Sequence, residues 1–457
     1  MNLQKTKLGL FDFTMIVISL VIGMGIFRTP KNVAEVAPNN FLFFLVWIVG
    51  GIVALCGALT YAEIGSRLPV TGGYYKIFSY AYHPSIAFAI NCVIIVSSAA
   101  SLAGVALVGS EYITSIFIPN VNNKAWMLIH TNADYVHQVY NIIAIVAIVT
   151  FYGLNLLGLR LSAKTQTLLT LIKIVLILLL ISPLFFAPTN NEAIFSMGTI
   201  NPTFKEYLKA FGIGLVAVSF TYGGYQQTIN FGNDVQQPSK NLPRGIFLGI
   251  TLIVLLYLTI NYAYIKVIGL QTLGSSTNIA AIMAAKVFGP QAEKILSVFL
   301  FLSVLAYVNV LLMSNPRVMY AMAEDKILPS FFAKQHKKNG VLVVSLTVFT
   351  LLAILTVFWA KEFDKILSFS IFLDSFGMVL SAATIFILRN RTKHLNGTGI
   401  YEMRLYPLLP IVFILAYTFI AVYLLATQPH SSIIGLVVMA IFIGLYFLAK
   451  AFNPQKK

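Results

Sequence analysis

Apolar and polar positions divide this chain into long apolar runs joined by short polar connectors. About twelve apolar runs recur, near 8–36, 40–66, 84–117, 139–158, 165–187, 206–233, 244–267, 292–322, 340–359, 363–389, 404–427 and 431–450. Each is long enough to cross a hydrocarbon core of about 30 Å as a helix. The pattern predicts an all-α, polytopic membrane protein with about 12 transmembrane helices. Runs 84–117 and 292–322 exceed what a crossing needs and should tilt or extend into the interface. Two runs share a flaw. Leu8 to Phe27 is interrupted by Gly23-Met24-Gly25, and Phe211 to Phe231 by Tyr222-Gly223-Gly224-Tyr225. A broken helix survives in lipid only where its freed backbone groups are buried in protein or line a wet cavity. Two such breaks at corresponding places point to a substrate site at mid-membrane, and so to a transporter. Close helix packing at Gly23 and Gly25 is the alternative reading of the first.

The runs fall into two sets of five, within residues 1–187 and 188–389, and each set opens with its broken helix. Five is odd, so the second set enters the membrane inverted with respect to the first, a 5+5 inverted repeat. Residues 390–457 hold two accessory C-terminal spans. No separate soluble domain is visible, and the connectors 118–138 and 188–205 read as ordinary loops.

Composition agrees: 58% of the 457 residues are hydrophobic and 10% charged. The net charge of +16 would suit a nucleic-acid binder, but its location excludes that reading. Lys and Arg gather in alternate connectors, including Lys76, Arg160, Lys240, Arg317, Lys338 and Arg389. With both termini cytoplasmic, most of the basic residues lie inside, which makes the charge a topology signal and an attraction to anionic membrane lipid. Lys5 and Lys7 before an apolar run resemble a signal peptide. No small-residue cleavage site precedes Arg28, so a retained helix is expected. Cys56 and Cys92 lie within spans and read as packing residues. The Asn396-Gly397-Thr398 sequon falls in a connector placed inside, where glycosylation is not expected.

The breaks carry chemistry. Unwinding at Gly23–Gly25 frees N–H groups at the positive end of a half-helix dipole, which suits a carboxylate. The carbonyls that end the other half-helix suit an ammonium. The same holds at Gly223-Gly224. Two breaks side by side form a main-chain trap for an α-amino acid zwitterion and leave its side chain to be selected by the pocket walls.

Val21-Ile22-Gly23-Met24-Gly25-Ile26-Phe27 resembles the G-S/A-G-I-F signature of the amino acid–polyamine–organocation superfamily. Tyr61-Ala62-Glu63-Ile64-Gly65-Ser66-Arg67-Leu68-Pro69 with Thr71-Gly72-Gly73-Tyr74 is similar to the segment after its second span. Phe220-Thr221-Tyr222-Gly223-Gly224-Tyr225 resembles the sixth helix of L-type amino acid transporters. Pro238 to Arg244 and Arg317 to Pro329 resemble the loop before the seventh span and the segment after the eighth. The motifs occur in the family's order between about residues 21 and 330. The resemblance implies a LeuT-type fold and an amino acid substrate. By that analogy the carboxylate meets the backbone around Met24 and Gly25, within the break that begins at Gly23, and the amino group meets carbonyls near Ile22 and Phe220. Phe220 is then the gate, Thr221 lies beside it, Gly223 sets pocket volume, and Gln226 is a polar contact. Met24 replaces the family's small residue, which bears on substrate size. Gln226 stands where many relatives have Glu, so no carboxylate awaits a cationic side chain. The loop between spans three and four has no Cys, so a disulfide-linked accessory subunit is not expected.

Lys173 is the sole charge in run 165–187, about two turns from its cytoplasmic end. Such a charge costs roughly 2.5–3.5 kcal/mol on insertion scales and marks a functional candidate. The resemblance implies that it takes the place of a sodium ion between helices one and eight, as a fixed cation or a titrating group; snorkelling to the interface is the alternative. Asp374, midway along the tenth run with Ser370 and Ser375 nearby, reads as a hydrogen-bond hub or as a gating or proton group. Glu111 is placed near the outer end of span three, meeting water or a loop partner. Asp12 and Glu63 are expected to pair with loop cations such as Arg67. Ser97, Ser98 and Ser101 line the pocket or pack.

The leading function is sodium-independent secondary transport of amino acids in the bacterial plasma (inner) membrane, by exchange or proton symport. A polyamine or amine permease of the same superfamily is the runner-up, weakened by Gln226. A channel would need rings of polar residues, which are not evident. A membrane-embedded enzyme would need a cluster of His, Asp or Glu, yet every His lies in a connector or at a span end. Neither a metal nor a cofactor is expected.

Overall fold

The computed structural model describes residues 7–117, 133–186, 203–275, 292–359 and 363–452, and the single positions 279, 280, 282, 283 and 289. Among these residues the chain is helical, and only two isolated bridges, Leu8 with Val235 and Thr71 with Phe231, pair extended backbone. The helices are α1 (Leu10–Val21), α2 (Gly25–Val36), α3 (Asn40–Arg67), α4 (Gly73–Ala81), α5 (Pro84–Phe117), α6 (Ala133–Leu156), α7 (Leu159–Ile181), α8 (Phe204–Tyr222), α9 (Pro238–Ile268), α10 (Leu270–Ser275), α11 (Ala292–Glu324), α12 (Val343–Trp359), α13 (Phe363–Arg391), α14 (Leu408–Thr427) and α15 (Pro429–Phe452).

Each expected apolar run has its helix, and ten of the described helical segments are long and apolar enough to cross a membrane unaided. The capping chemistry is written in the sequence. Asn39 accepts from the Leu42 N–H and starts α3, and Thr203 with Glu206 forms a reciprocal box at the start of α8. Pro238 opens α9, where its missing N–H costs nothing. Two features depart from expectation. The amphipathic α4 lies between the second and third spans. The fifth span starts at Leu159, earlier than the apolar run, because Arg160 and Lys164 are carried on its first turns.

The helices pack in two groups. In one, α3 lies against α8, α9 and α14, while α1 follows α9 and α2 follows α8. In the other, α5 and α11 form the centre, with α6 and α12 against both. Helix α7 joins the groups by touching α1 on one side and α11 on the other. Helices α13 and α15 pack on each other, and α15 also rests on α5. Apolar side chains also cover the outside. Ile142, Val146 and Val149 on α6, and Leu415 and Val422 on α14, are exposed, as a surface in contact with lipid tails requires.

Candidate functional site

The first break runs from Ile22 to Met24. Ile22 leaves helical geometry with ψ 84°, the Gly23 N–H turns back to the Val21 carbonyl at 2.8 Å, and α2 restarts at Gly25. In the first turn of α2 the Phe27 N–H closes on the Met24 carbonyl at 3.2 Å, while the N–H groups before it lack an intrahelical partner, as at any helix start. The second break is Gly223-Gly224. Helix α8 stops at Tyr222, and the chain continues as a short 3-10 helix, Tyr225–Asn230. Gly224 has φ +107°, a conformation open to glycine and few others, and a Cβ there would strike the Leu20 carbonyl. The second break therefore sits directly on the last turn of α1.

The glycines differ in what they do. A Cβ on Gly25 would stand 2.8–3.1 Å from Thr221 atoms, so Gly25 lets α2 touch α8. This is the close-packing role that the sequence left open. A Cβ on Gly23 would meet the Tyr307 ring at an ordinary 3.6 Å. Gly223 has φ −67°, and its nearest neighbours are carbonyls of its own helix, Phe220 at 3.2 Å and Ser219 at 3.4 Å. Phe220 is 37% exposed, whereas Met24 is 7% exposed and packs with the core. The Thr221 hydroxyl is buried, 2.7 Å from that of Thr29 and 3.0 Å from the Ala217 carbonyl. The Gln226 carboxamide oxygen accepts from the Gly224 N–H at 2.9 Å, so this side chain braces the break.

Lys173 lies past the middle of α7. Counted from the start of α7 at Leu159 it is about four turns in, and it is fully buried. Snorkelling is thereby ruled out. Its Nζ donates to the Ile22 carbonyl at 2.5 Å and to Ser19 Oγ at 3.2 Å. The lysine amine thus sits at the negative end of the α1 dipole, at a carbonyl which the break has released. The network continues through amides. Gln166 donates to Ser19 Oγ at 2.5 Å and accepts from Asn309 at 2.7 Å; Asn309 accepts from Asn155 at 2.8 Å. Ser19 is therefore a hub joining α1 to α7 and, through the Ala306 carbonyl at 3.4 Å, to α11. Gln166, Asn309 and Asn155 escaped the sequence reading. Their signal was available as uncharged polar residues inside apolar runs, which in a bilayer demand partners.

This geometry, a buried lysine amine bonded to the unwound end of the first span beside a second broken helix, is joined by a match along the chain. The family model described as "Amino acid permease" matches residues 8–449. The chain belongs to the amino acid permease family. It is similar to the serine/threonine exchanger SteT of Bacillus subtilis, with 28% identity over 97% of this chain and 98% of that protein. It is also similar to the large neutral amino acids transporter small subunit 2 of Mus musculus, with 27% identity over 99% of this chain and 82% of that protein. The Asc-type amino acid transporter 1 of the same organism shares 24% over 99% and 83%. This permease is thus a polytopic membrane protein of a transporter family and not an enzyme.

The remaining candidates are dispersed. Ser101 Oγ is 2.9 Å from the hydroxyl of Tyr307, whose ring faces Gly23, and Gln227 reaches Ser98 at 3.5 Å. These contacts set the α5 serines opposite both breaks. Glu111 is 3.2 Å from Arg28, an ion pair between α5 and α2. Asp12 accepts from Thr167 at 3.1 Å, in place of the loop cation expected for it. Glu63 does find Arg67, and also Arg389. Asp374 is partly buried on α13, and the Ser375 hydroxyl turns away from it to the Ile371 carbonyl. The Ser370 side chain lies outside the described residues, as do most of the connectors 118–138 and 188–205.

Proposed function

We propose that this permease carries neutral amino acids across the bacterial plasma membrane by alternating access, without sodium, and that it works as an exchanger with both termini cytoplasmic. The observation that carries the reading is Lys173 Nζ on the Ile22 carbonyl and Ser19. A bound cation at this point would hold α1 to α7; a lysine does the same permanently, which suits a carrier that must not wait for an ion. The substrate carboxylate is assigned to the N–H groups around Met24 and Gly25, because the Gly23 N–H is held by the Val21 carbonyl. Its ammonium is assigned to carbonyls at the second break near Phe220, because the Ile22 carbonyl is held by Lys173. Phe220, exposed at the end of α8, is assigned as the gate. The exchange mode and a neutral substrate draw on the relatives, one a serine/threonine exchanger and another a large neutral amino acids transporter subunit. An amine or polyamine substrate is disfavoured because Gln226 offers an amide, already bonded to Gly224, where a carboxylate would be needed. Proton symport through Asp374 is the second reading, favoured by a carboxyl placed partly buried within a span. The halves 1–187 and 188–389 are proposed as inverted repeats, with 390–457 accessory to them. Both cysteines lie in spanning helices, so no disulfide-linked partner is proposed.

Proteoliposomes loaded with unlabelled serine should take up labelled serine or threonine much faster than empty ones, at the same rate when choline replaces sodium. A strict sodium requirement would overturn the role given to Lys173. Uptake into empty vesicles driven by a pH gradient would favour symport over exchange.

Glycine substitutions separate backbone from side-chain recognition. Gly223→Val adds volume at an ordinary φ, with its Cβ close to the Phe220 and Ser219 carbonyls, and should weaken large amino acids more than small ones in competition assays. Gly25→Val drives methyls into Thr221 and should weaken all amino acids alike. Identical selectivity profiles for the two variants would move the side-chain pocket away from Gly223.

A further inference from the structure

We propose that two ion pairs, Arg28–Glu111 and Asp234–Arg317, are opposed latches that must open in turn during the transport cycle. The inference rests on the alternating-access reading and its orientation. Arg28 lies on α2, just past the first break, and its Nη2 meets Glu111 Oε2 on α5 at 3.2 Å. Asp234 lies just past the 3-10 segment of the second broken span, and its Oδ2 meets Arg317 Nε on α11 at 2.7 Å. Each pair therefore ties the far part of a broken span to the third span of its own half. The charges are reversed between them, with the cation on the broken span in one and the anion there in the other.

The two pairs sit toward opposite faces. The Asp234 carbonyl accepts from the Leu8 N–H at 2.7 Å, and Val235 bridges Leu8, which places Asp234 at the beginning of the first span. Arg28 lies past the break, in the other half of that span. Both pairs link the group containing α1, α2, α3, α8 and α9 to the group built on α5 and α11. Sliding one group against the other must separate each pair when its face opens.

Their strengths differ. The Arg28 and Glu111 side chains are 48% and 40% exposed, so water screens that pair. Arg317 and Asp234 are 12% and 20% exposed, and the guanidinium also lies 4.4 Å from the centre of the Phe231 ring and donates to the Met313 carbonyl. Phe231 in turn bridges Thr71, in the connector after α3. The Asp234 latch is the stronger, and releasing it should move the resting equilibrium further.

The test uses a cysteine reporter, Ser101→Cys, in a protein carrying Cys56→Ala and Cys92→Ala. A membrane-impermeant maleimide is placed outside or inside proteoliposomes of known orientation. Asp234→Asn or Arg317→Gln should raise labelling from the cytoplasmic side by roughly tenfold, and Arg28→Gln or Glu111→Gln from the other side by about two- to threefold. The exchanged pair, Asp234→Arg with Arg317→Asp, should return labelling toward the parent rate. Unchanged labelling in all four neutralised variants, or equal rises from both sides, would overturn the latches. If a single variant does not yield monodisperse protein, recovery in the exchanged pair supports the latch and continued failure overturns it. A wrong orientation would exchange sides for both latches together, and a wrong transport reading would abolish serine uptake in the parent; neither mimics the loss of the labelling pattern.

Discussion

Lys173→Ala is expected to lower serine exchange in proteoliposomes by about 5- to 150-fold while leaving a folded, monodisperse protein. The magnitude follows from what the substitution strands. The Ile22 carbonyl loses its buried donor, while Ser19 keeps Gln166, and leaving such a carbonyl unpaired costs about 1–3 kcal/mol. The lost free energy falls on the geometry of the first break, where the substrate carboxylate is assigned, more than on global stability. Helix α1 keeps its contacts with α9, and Gln166 still reaches Ser19. Lys173→Arg should rescue poorly, because a planar fork cannot occupy the place of a compact ammonium. A normal exchange rate in Lys173→Ala would show that the lysine only fills space between α1 and α7.

Glu63→Ala should produce the largest loss of stability. Its carboxylate is fully buried and accepts from Arg67 Nε at 2.7 Å, from Arg389 at 2.6 and 2.7 Å, and from the Met403 N–H at 2.9 Å. The Arg67 side chain is itself fully buried and is shared with Thr392 and Asn396. Removing Glu63 leaves the buried Arg67 guanidinium with only the longer ion pair to Glu402, at 3.8 Å, and breaking a buried pair in this way costs about 3–5 kcal/mol. A lower thermal unfolding midpoint in detergent would register it. Glu63→Ala with Arg67→Ala should lose less than the two single losses combined, since the stranded guanidinium has gone. An unaltered midpoint for Glu63→Ala would remove this cluster as the lock between α3, α13 and the connector to α14. The same cluster explains Asn396. Its side chain is spent on Arg67, so the sequon is part of a folded junction.

Both outcomes turn on buried charges whose identity was visible in the sequence and whose partners were not. The spanning helices were legible because a bilayer leaves the backbone few choices: an apolar run of sufficient length must close its hydrogen bonds within itself. The breaks at Gly23 and Gly223 were legible for the same reason, as glycine pairs where a continuous helix would otherwise run. Lys173 stood out as a lone charge, whereas its partners, the Ile22 carbonyl and Ser19, were not legible. The connector helix α4 escaped because it is short and mixed in polarity.

The sequence by itself determined the all-helical membrane architecture, the two interrupted spans and the family, since these depend on local composition and ordered motifs. Tertiary structure decided which partner each polar group took. Gly25 proved to be a contact with Thr221, Gln226 a brace for Gly224, Asp12 a partner of Thr167, and Ser19 the hub beneath Lys173. Apart from the local Gln226 brace, those pairings join residues more than 150 positions apart. A buried polar group must be satisfied by whatever donor packing brings within about 3 Å, and only the crossing of helices determines which donor that is.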